Sequence, residues 1–377
     1  MKVLSVFGTR PEAIKMCPLV LELQKTEGIE SIVCVTGQHR QMLDQVLDVF
    51  GIHPEYDLNI MKARQTLASI TTAVVEGLGE VIDQCHPAIV LVHGDTTTSF
   101  AAALGAFYKQ TAVGHVEAGL RTYNKYSPYP EEMNRVLTGR IADFHFAPTI
   151  RNKEALEREG ICKNVYVTGN TVIDAFATTV RDGYEFRDEA LRQVDFSRRT
   201  ILLTAHRREN LGRPLEQICD AVLEICKQTP DVQFVYPVHL NPAVRETVCA
   251  KLADHPQIHL IDPLDVQDMH NAMARSFFVM TDSGGMQEEA PHLGKPVLVL
   301  RTETERPEAV EAGTAKVVGV ETNEITEQAL KLLNCPESYR EMATAKNPYG
   351  DGNASRRIAA ILREEFSEGK SNKGCAQ

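Results

Sequence analysis

Three carboxylates stand where a parallel sheet could aim them at one point. Asp95 follows the apolar run Ile89-Val90-Leu91-Val92 and the turn His93-Gly94, Glu117 follows the run over residues 111–116, and Glu131 follows the loop Tyr126-Ser127-Pro128-Tyr129-Pro130. The first run passes into a helix-like stretch over residues 99–108, which is how a buried parallel strand feeds its crossover helix. Ligands of an open parallel sheet collect beyond the carboxyl ends of its strands, so acids at consecutive strand ends point into one crevice. Such a group could move protons and stabilise a developing cation. The competing reading makes Asp95 and Glu131 helix caps, because an acid at a helix start is favoured by the exposed N–H groups. Three acids at linked strand ends weigh toward a site.

The complementary chemistry is anion binding. After a strand over residues 2–7, Gly8-Thr9-Arg10-Pro11-Glu12 sets Thr9 and Glu12 at capping-box spacing with Pro11 early in the helix. This is the position of a nucleotide fingerprint, yet neither G-x-G-x-x-G nor G-x-x-x-x-G-K-[ST] is present. A tightly held nicotinamide therefore loses support, and no cofactor is expected. Arg10 and Lys15, at that helix start and one turn on, are either an anion clamp or an ordinary solvated basic pair. Ser283-Gly284-Gly285 is the best anion site in the chain, since small residues let backbone N–H groups approach a phosphate at a helix start. As a bare pattern it could equally be a turn. Arg306 is offered to the same region from the next strand end, although Arg301 and Arg306 could instead pair with the neighbouring acids.

These residues need two sheets to carry them. Strands are expected over residues 2–7, 31–36, 89–92, 111–116, 144–147 and 164–167, and a second series over 200–204, 232–236, 258–261, 277–281, 296–300 and 315–318, with helical stretches between. The expected fold class is α/β, two Rossmann-like doubly wound domains facing a cleft. Residues 1–170 form the N-terminal domain with the carboxylates, joined by a C-terminal helix over 354–366. Residues 171–353 form the nucleotide-binding domain, and 367–377 is read as a disordered tail. A length of 377 residues suits two domains.

A formal charge of -11 argues against a nucleic-acid or anionic-membrane partner. The nine cysteines form no C-x-x-C pair and no metal-ligand spacing, so no metal is expected. An odd cysteine count, no cleavable leader and no apolar run of about 20 residues lead us to expect a soluble cytoplasmic protein.

In order along nearly the whole chain, the motifs GTRPEAIKM, QHRQMLDQVL, VHGDTTT, GHVEAGLRT, YSPYPEEMNR, TGNTVIDA, AHRREN, YPVHLNP, TDSGGMQEEAP, GKPVLVLR, TERPEAVEAGT and NPYGDG closely resemble the bacterial non-hydrolysing UDP-N-acetylglucosamine 2-epimerases. The resemblance implies a fold of glycosyltransferase-B type, with the nucleotide held mainly by the second domain. It implies nucleotide-sugar contacts at Arg10, Lys15, Asp95, Glu117, His206, Ser283, Gly284, Gly285, Glu289 and Arg306. It implies catalytic carboxylates at Asp95, Glu117 and Glu131, and His206 is counted with the catalytic groups. In regulated relatives, residues matching Gln38, Gln41, Arg64 and His239 bind a second UDP-N-acetylglucosamine as activator; here they are either that site or ordinary cleft polarity. The family also suggests a homodimer and a role in a cell-envelope polysaccharide pathway. Two departures stand out: Leu264 and Met269 replace the Gln and Phe of some relatives, so uridine packing there can differ, and RTETERPE replaces the common RDTTERPE.

The chemistry can be argued from the substrate. The C2 proton of an N-acetylhexosamine has no neighbouring carbonyl carbon, so direct removal leaves an unstabilised carbanion. Oxidation at C3 would acidify it but needs a dinucleotide. The remaining route expels UDP, either with or ahead of C2–H cleavage, and passes through a 2-acetamidoglucal before UDP re-adds with the proton on the opposite face. Which carboxylate is acid and which base stays open. The alternatives are a hydrolysing epimerase, a retaining glycosyltransferase and a catalytically silent nucleotide-sugar sensor.

Overall fold

The computed structural model describes residues 1–37, 40–61 and 65–367, with the side chains of residues 40, 41 and 367 outside that description. The tail expected from residue 367 therefore lies beyond the described residues from 368 on. The chain divides into two compact units, Met1–Thr178 rejoined at Tyr349, and Thr179–Pro348.

In the first unit the strands are β1 (Lys2–Phe7), β2 (Glu30–Val35), β3 (Tyr56–Asp57), β4 (Ile89–His93), β5 (Ala112–Val116), β6 (Phe144–Ala147) and β7 (Val165–Val167). They form one parallel sheet in the order β3-β2-β1-β4-β5-β6-β7. Helices cover both faces, so β4 is fully buried along Ile89-Val90-Leu91-Val92 and shows no polar alternation. The capping box read at Thr9 and Glu12 is formed and starts the helix Arg10–Lys25. Strand β3 was not expected: two residues carry no periodicity, and pairing with Cys34 and Val35 creates it. After Tyr349 the helix Ala354–Ser367 docks back on this unit, where the Asp174 carboxylate accepts the N–H groups of Ala354 (3.1 Å) and Ser355 (2.5 Å).

The second unit holds β8 (Arg199–Thr204), β9 (Val232–Pro237), β10 (Ile258–Ile261), β11 (Phe278–Thr281), β12 (Val297–Val299) and β13 (Ala315–Val317). Their parallel order is β10-β9-β8-β11-β12-β13. Its core gathers Phe234, Tyr236, Phe278 and Met280 with the buried face of the helix Arg213–Gln228. In each sheet the winding direction reverses once, between β1 and β4 and between β8 and β11, and the strand ends beside such a reversal are where doubly wound folds bind ligands. Among the described residues no helix is long and apolar enough to cross a membrane.

Candidate active site

The reversal in the first sheet brings the three acids together. The helix Thr97–Tyr108 is capped by Thr96, whose hydroxyl accepts the Ser99 N–H at 3.0 Å, so Asp95 lies outside the cap and is not consumed by it. Glu131 opens the helix Glu131–Ile141, and its Oε2 is buried with no hydrogen-bond partner among the described residues. That helix reaches Asp95 twice: Asn134 Nδ2 donates to the Asp95 carbonyl at 2.9 Å, and an Arg135 guanidinium nitrogen lies 3.0 Å from its carboxylate. Burial pushes the Asp95 carboxyl up, Arg135 opposes the rise, Glu117 adds to it, Lys15 opposes it and Glu131 adds again, leaving it at about 6. A group near 6 can hold or release a proton close to neutrality.

Glu117 follows β5 directly and lies in the left-handed region, at φ 62°. A side chain there costs on the order of 1–3 kcal/mol unless surrounding contacts hold it, and such strain gathers at functional positions. Lys15 Nζ pairs with Glu117 Oε1, and Asn170 Nδ2 donates to the same oxygen at 2.9 Å. Lys15 is thus engaged with a carboxylate rather than presented as a bare anion clamp, while Arg10 is the half-buried first residue of the same helix. Glu117 Oε2 lies 3.7 Å from His93 Nε2. Burial pushes His93 down to about 4, so its ring is neutral near pH 7 and the contact is not an ion pair. At Gly94, with φ +63°, a Cβ would stand 3.2 Å from Glu117 Oε2, so a larger residue would be strained and crowd the carboxylate. Glu12 does more than complete its cap. Its buried carboxylate accepts the N–H groups of Gly8 (3.0 Å) and Thr9 (2.8 Å) and the hydroxyls of Thr96 (2.5 Å) and Ser99 (2.8 Å), which straps the turn after β1 to the helix after β4.

The second reversal is built around Asp282, a fully buried acid. Its Oδ2 accepts the N–H groups of His206 (2.8 Å) and Arg207 (2.8 Å) and Asn210 Nδ2 (3.0 Å), while Oδ1 lies 3.6 Å from His206 Nδ1. Burial lowers the His206 pKa, Asp282 opposes that, and His239 and Arg207 lower it further. The rings of His206 and His239 are stacked, with centroids 5.2 Å apart and planes within 7°. Ser283 precedes the helix Gly284–Glu289, whose first N–H groups have no partner inside the helix. A Cβ at Gly284 would stand 3.8 Å from both the Arg207 and the Arg306 guanidinium groups, so two cations meet over this glycine. Arg306 is held from behind by the buried Glu288 carboxylate, and Arg301 is turned to Glu209 at 2.6 Å. Glu289, on the same helix, faces the buried His270 at 3.2 Å. Leu264 is buried, and Met269 is half-buried on the helix Val266–Arg275.

Sequence reasoning missed Arg135, Asn170, Arg207 and Asp282 as parts of the site. Asn170, Arg207 and Asp282 sat at strand ends already noted and could have been included on that signal, whereas Arg135 is set by long-range packing. Gln38 and Arg64 lie outside the described residues. Gln41 belongs to the helix Arg40–Phe50, with its side chain likewise outside them.

Two doubly wound units, each with charged groups at its winding reversal, place the chain among two-domain α/β proteins of glycosyltransferase-B type. The glycotransferase of kitacinnamycin, only 10% identical, shares the fold at a TM-score of 0.64 over 97% of this chain and 99% of its own. The family model described as UDP-N-acetylglucosamine 2-epimerase matches residues 21–363. The UDP-N-acetylglucosamine 2-epimerase of Bacillus subtilis (strain 168) is 60% identical over 363 residues, 96% of this chain and 95% of that one. The crystal structure of the Neisseria meningitidis UDP-GlcNAc 2-epimerase bound to UDP-GlcNAc superposes at a TM-score of 0.85, with 51% identity, covering 97% of this chain and 100% of that chain. The chain belongs to the UDP-N-acetylglucosamine 2-epimerase family.

Proposed function

We propose that the protein interconverts UDP-N-acetylglucosamine and UDP-N-acetylmannosamine, by eliminating UDP to 2-acetamidoglucal and adding it back without net hydrolysis. The observation that carries this reading is the grouping of Asp95 with Glu117, Glu131 and Arg135 beside the winding reversal of the first sheet, where burial pushes Asp95 up to about 6. In the forward direction the C2–H proton passes to a carboxylate, the C1–O bond breaks, and its electron pair leaves on the diphosphate. The C1=C2 glycal forms. Return of the diphosphate to C1 with a proton delivered to the other face of C2 inverts that carbon. Asp95, Glu117 and Glu131 supply the proton acceptor and donor and offset the positive charge at C1. Arg207, Arg306, His206 and the Ser283-Gly284-Gly285 turn receive the departing diphosphate, on which charge develops as the bond breaks. The bound UDP-GlcNAc of the Neisseria meningitidis relative supports this choice of substrate.

Incubation with UDP-N-acetylglucosamine in D2O tests the reading. Deuterium is expected at C2 of both nucleotide sugars, with phosphorus NMR showing no accumulation of UDP. Turnover without C2 labelling rejects elimination at C2, and one UDP released per sugar consumed assigns the chain to the hydrolysing reaction. No turnover and no exchange identifies a sensor.

A further inference from the structure

We propose that Asn170 is a positioning residue for Glu117, fixing the plane of its carboxylate so that the unanchored edge is turned to the sugar; the inference rests on the reading above, in which Glu117 takes part in proton transfer. Asn170 follows β7 and is buried at 2% exposure. Its amide is tied at both ends. Oδ1 accepts the Val172 N–H at 3.1 Å as the cap of the helix Thr171–Asp174, and Nδ2 donates to Glu117 Oε1 at 2.9 Å. Its backbone N–H donates to the Tyr349 carbonyl at 2.7 Å, where the chain re-enters this unit. Because Oδ1 faces a donor, the amide has one orientation, and the group it presents to Glu117 is the NH2.

Lys15 reaches the same oxygen, but the two donors act differently. An ammonium on a four-carbon stem is a point charge with rotatable donors and can follow a carboxylate that turns. A buried amide tied at both ends cannot follow. Lys15 therefore supplies charge and Asn170 supplies direction. With Oε1 anchored from both sides, Oε2 is directed to the Gly94 turn, beside Asp95, where a Cβ on Gly94 would meet it at 3.2 Å. Glu117 sits on a left-handed backbone at φ 62°, so its side chain depends on outside contacts for its aim.

The test is Asn170→Asp, which keeps the cap oxygen and the backbone N–H but replaces the NH2 facing Glu117 by an anion. We expect kcat to fall by roughly 10- to 100-fold, as for a misplaced reacting group, with KM within about twofold and UDP affinity unchanged. The acid limb of the pH profile should move up, because a like charge beside a carboxylate disfavours its ionised form. Asn170→Ala should show the same kcat loss with a smaller upward displacement of the profile, because it removes a hydrogen bond to the carboxylate without adding a charge. A purely structural Asn170 would leave Asn170→Asp with the parent kcat and pH profile, and that result overturns the proposal. Failure of both variants to fold, judged by circular dichroism and thermal unfolding, assigns Asn170 to stability and overturns it too. If the parent enzyme incorporates no deuterium at C2, the reaction reading has failed; an active parent with an unmoved Asn170→Asp rejects this inference alone.

Discussion

Arg135→Gln should move the pH dependence of the reaction upward. The Asp95 carboxyl stands at about 6 because burial and the charges of Glu117 and Glu131 raise it against Arg135, the strongest of the groups that lower it. Glu131 and Arg135 are one helical turn apart, so one helix face supplies both an acid that raises Asp95 and the cation, 3.0 Å away, that lowers it. Losing an opposite charge at that distance raises a carboxyl by about 1 to 3 units. The Asp95 side chain keeps 28% of its exposure, and solvent screening favours the lower figure, about 1 unit. At pH 7 the ionised fraction of Asp95 would fall from roughly nine-tenths to about half. The limb of kcat/KM that Asp95 sets then moves up by about 1 unit whether Asp95 gives or takes the proton, since in either role the limb follows its pKa. Initial rates of epimerisation between about pH 5 and pH 9 measure it. A profile with unmoved limbs, scaled down equally at every pH, would refute the reasoning and leave Arg135 as packing.

Gly284→Ala should fold normally, because the new Cβ would meet its neighbours only at 3.8 Å. It should nevertheless weaken UDP by about tenfold or more, since the methyl stands where an anion must approach Arg207 and Arg306; unchanged UDP affinity by calorimetry would place the diphosphate elsewhere. Acid stability should follow the buried histidines. Burial pushes His93, His115 and His145 down from 6.5 to about 4, 3 and 4. The unfolded chain then takes up protons that the native state refuses, so stability is complete above about 6.5 and is lost as pH falls toward 4, by roughly 2 kcal/mol per histidine at pH 5. Urea midpoints at pH 7 and 5, compared with those of His145→Phe, check this, and equal midpoints in the parent chain would contradict it. If Gln38, Gln41, Arg64 and His239 form an activator site, the reverse reaction from UDP-N-acetylmannosamine alone should start slowly and quicken when UDP-N-acetylglucosamine is added. Equal initial rates with and without it would remove the site.

The sequence by itself determined the elements and the residues at their ends. An unbroken apolar run such as Ile89-Val90-Leu91-Val92 marks a buried strand, and the polar residue that stops it, Asp95 or Glu117, marks the strand's carboxyl end. Thr9 and Glu12 announced their helix because a cap is a contact within four residues. Only the tertiary structure decided strand order, the two winding reversals and the partners of each acid. Lys15 and Glu117 are 102 residues apart, and Asn170 and Glu117 are 53 apart. Arg135 reads in isolation as one more basic residue on an exposed helix, and packing against the helix after β4 turns it to Asp95. The division has a physical cause. Propensity and periodicity act over a turn or two of chain, whereas the burial that raises Asp95 to about 6, and the ring of charges that tunes it, exist only after distant strands have been laid side by side.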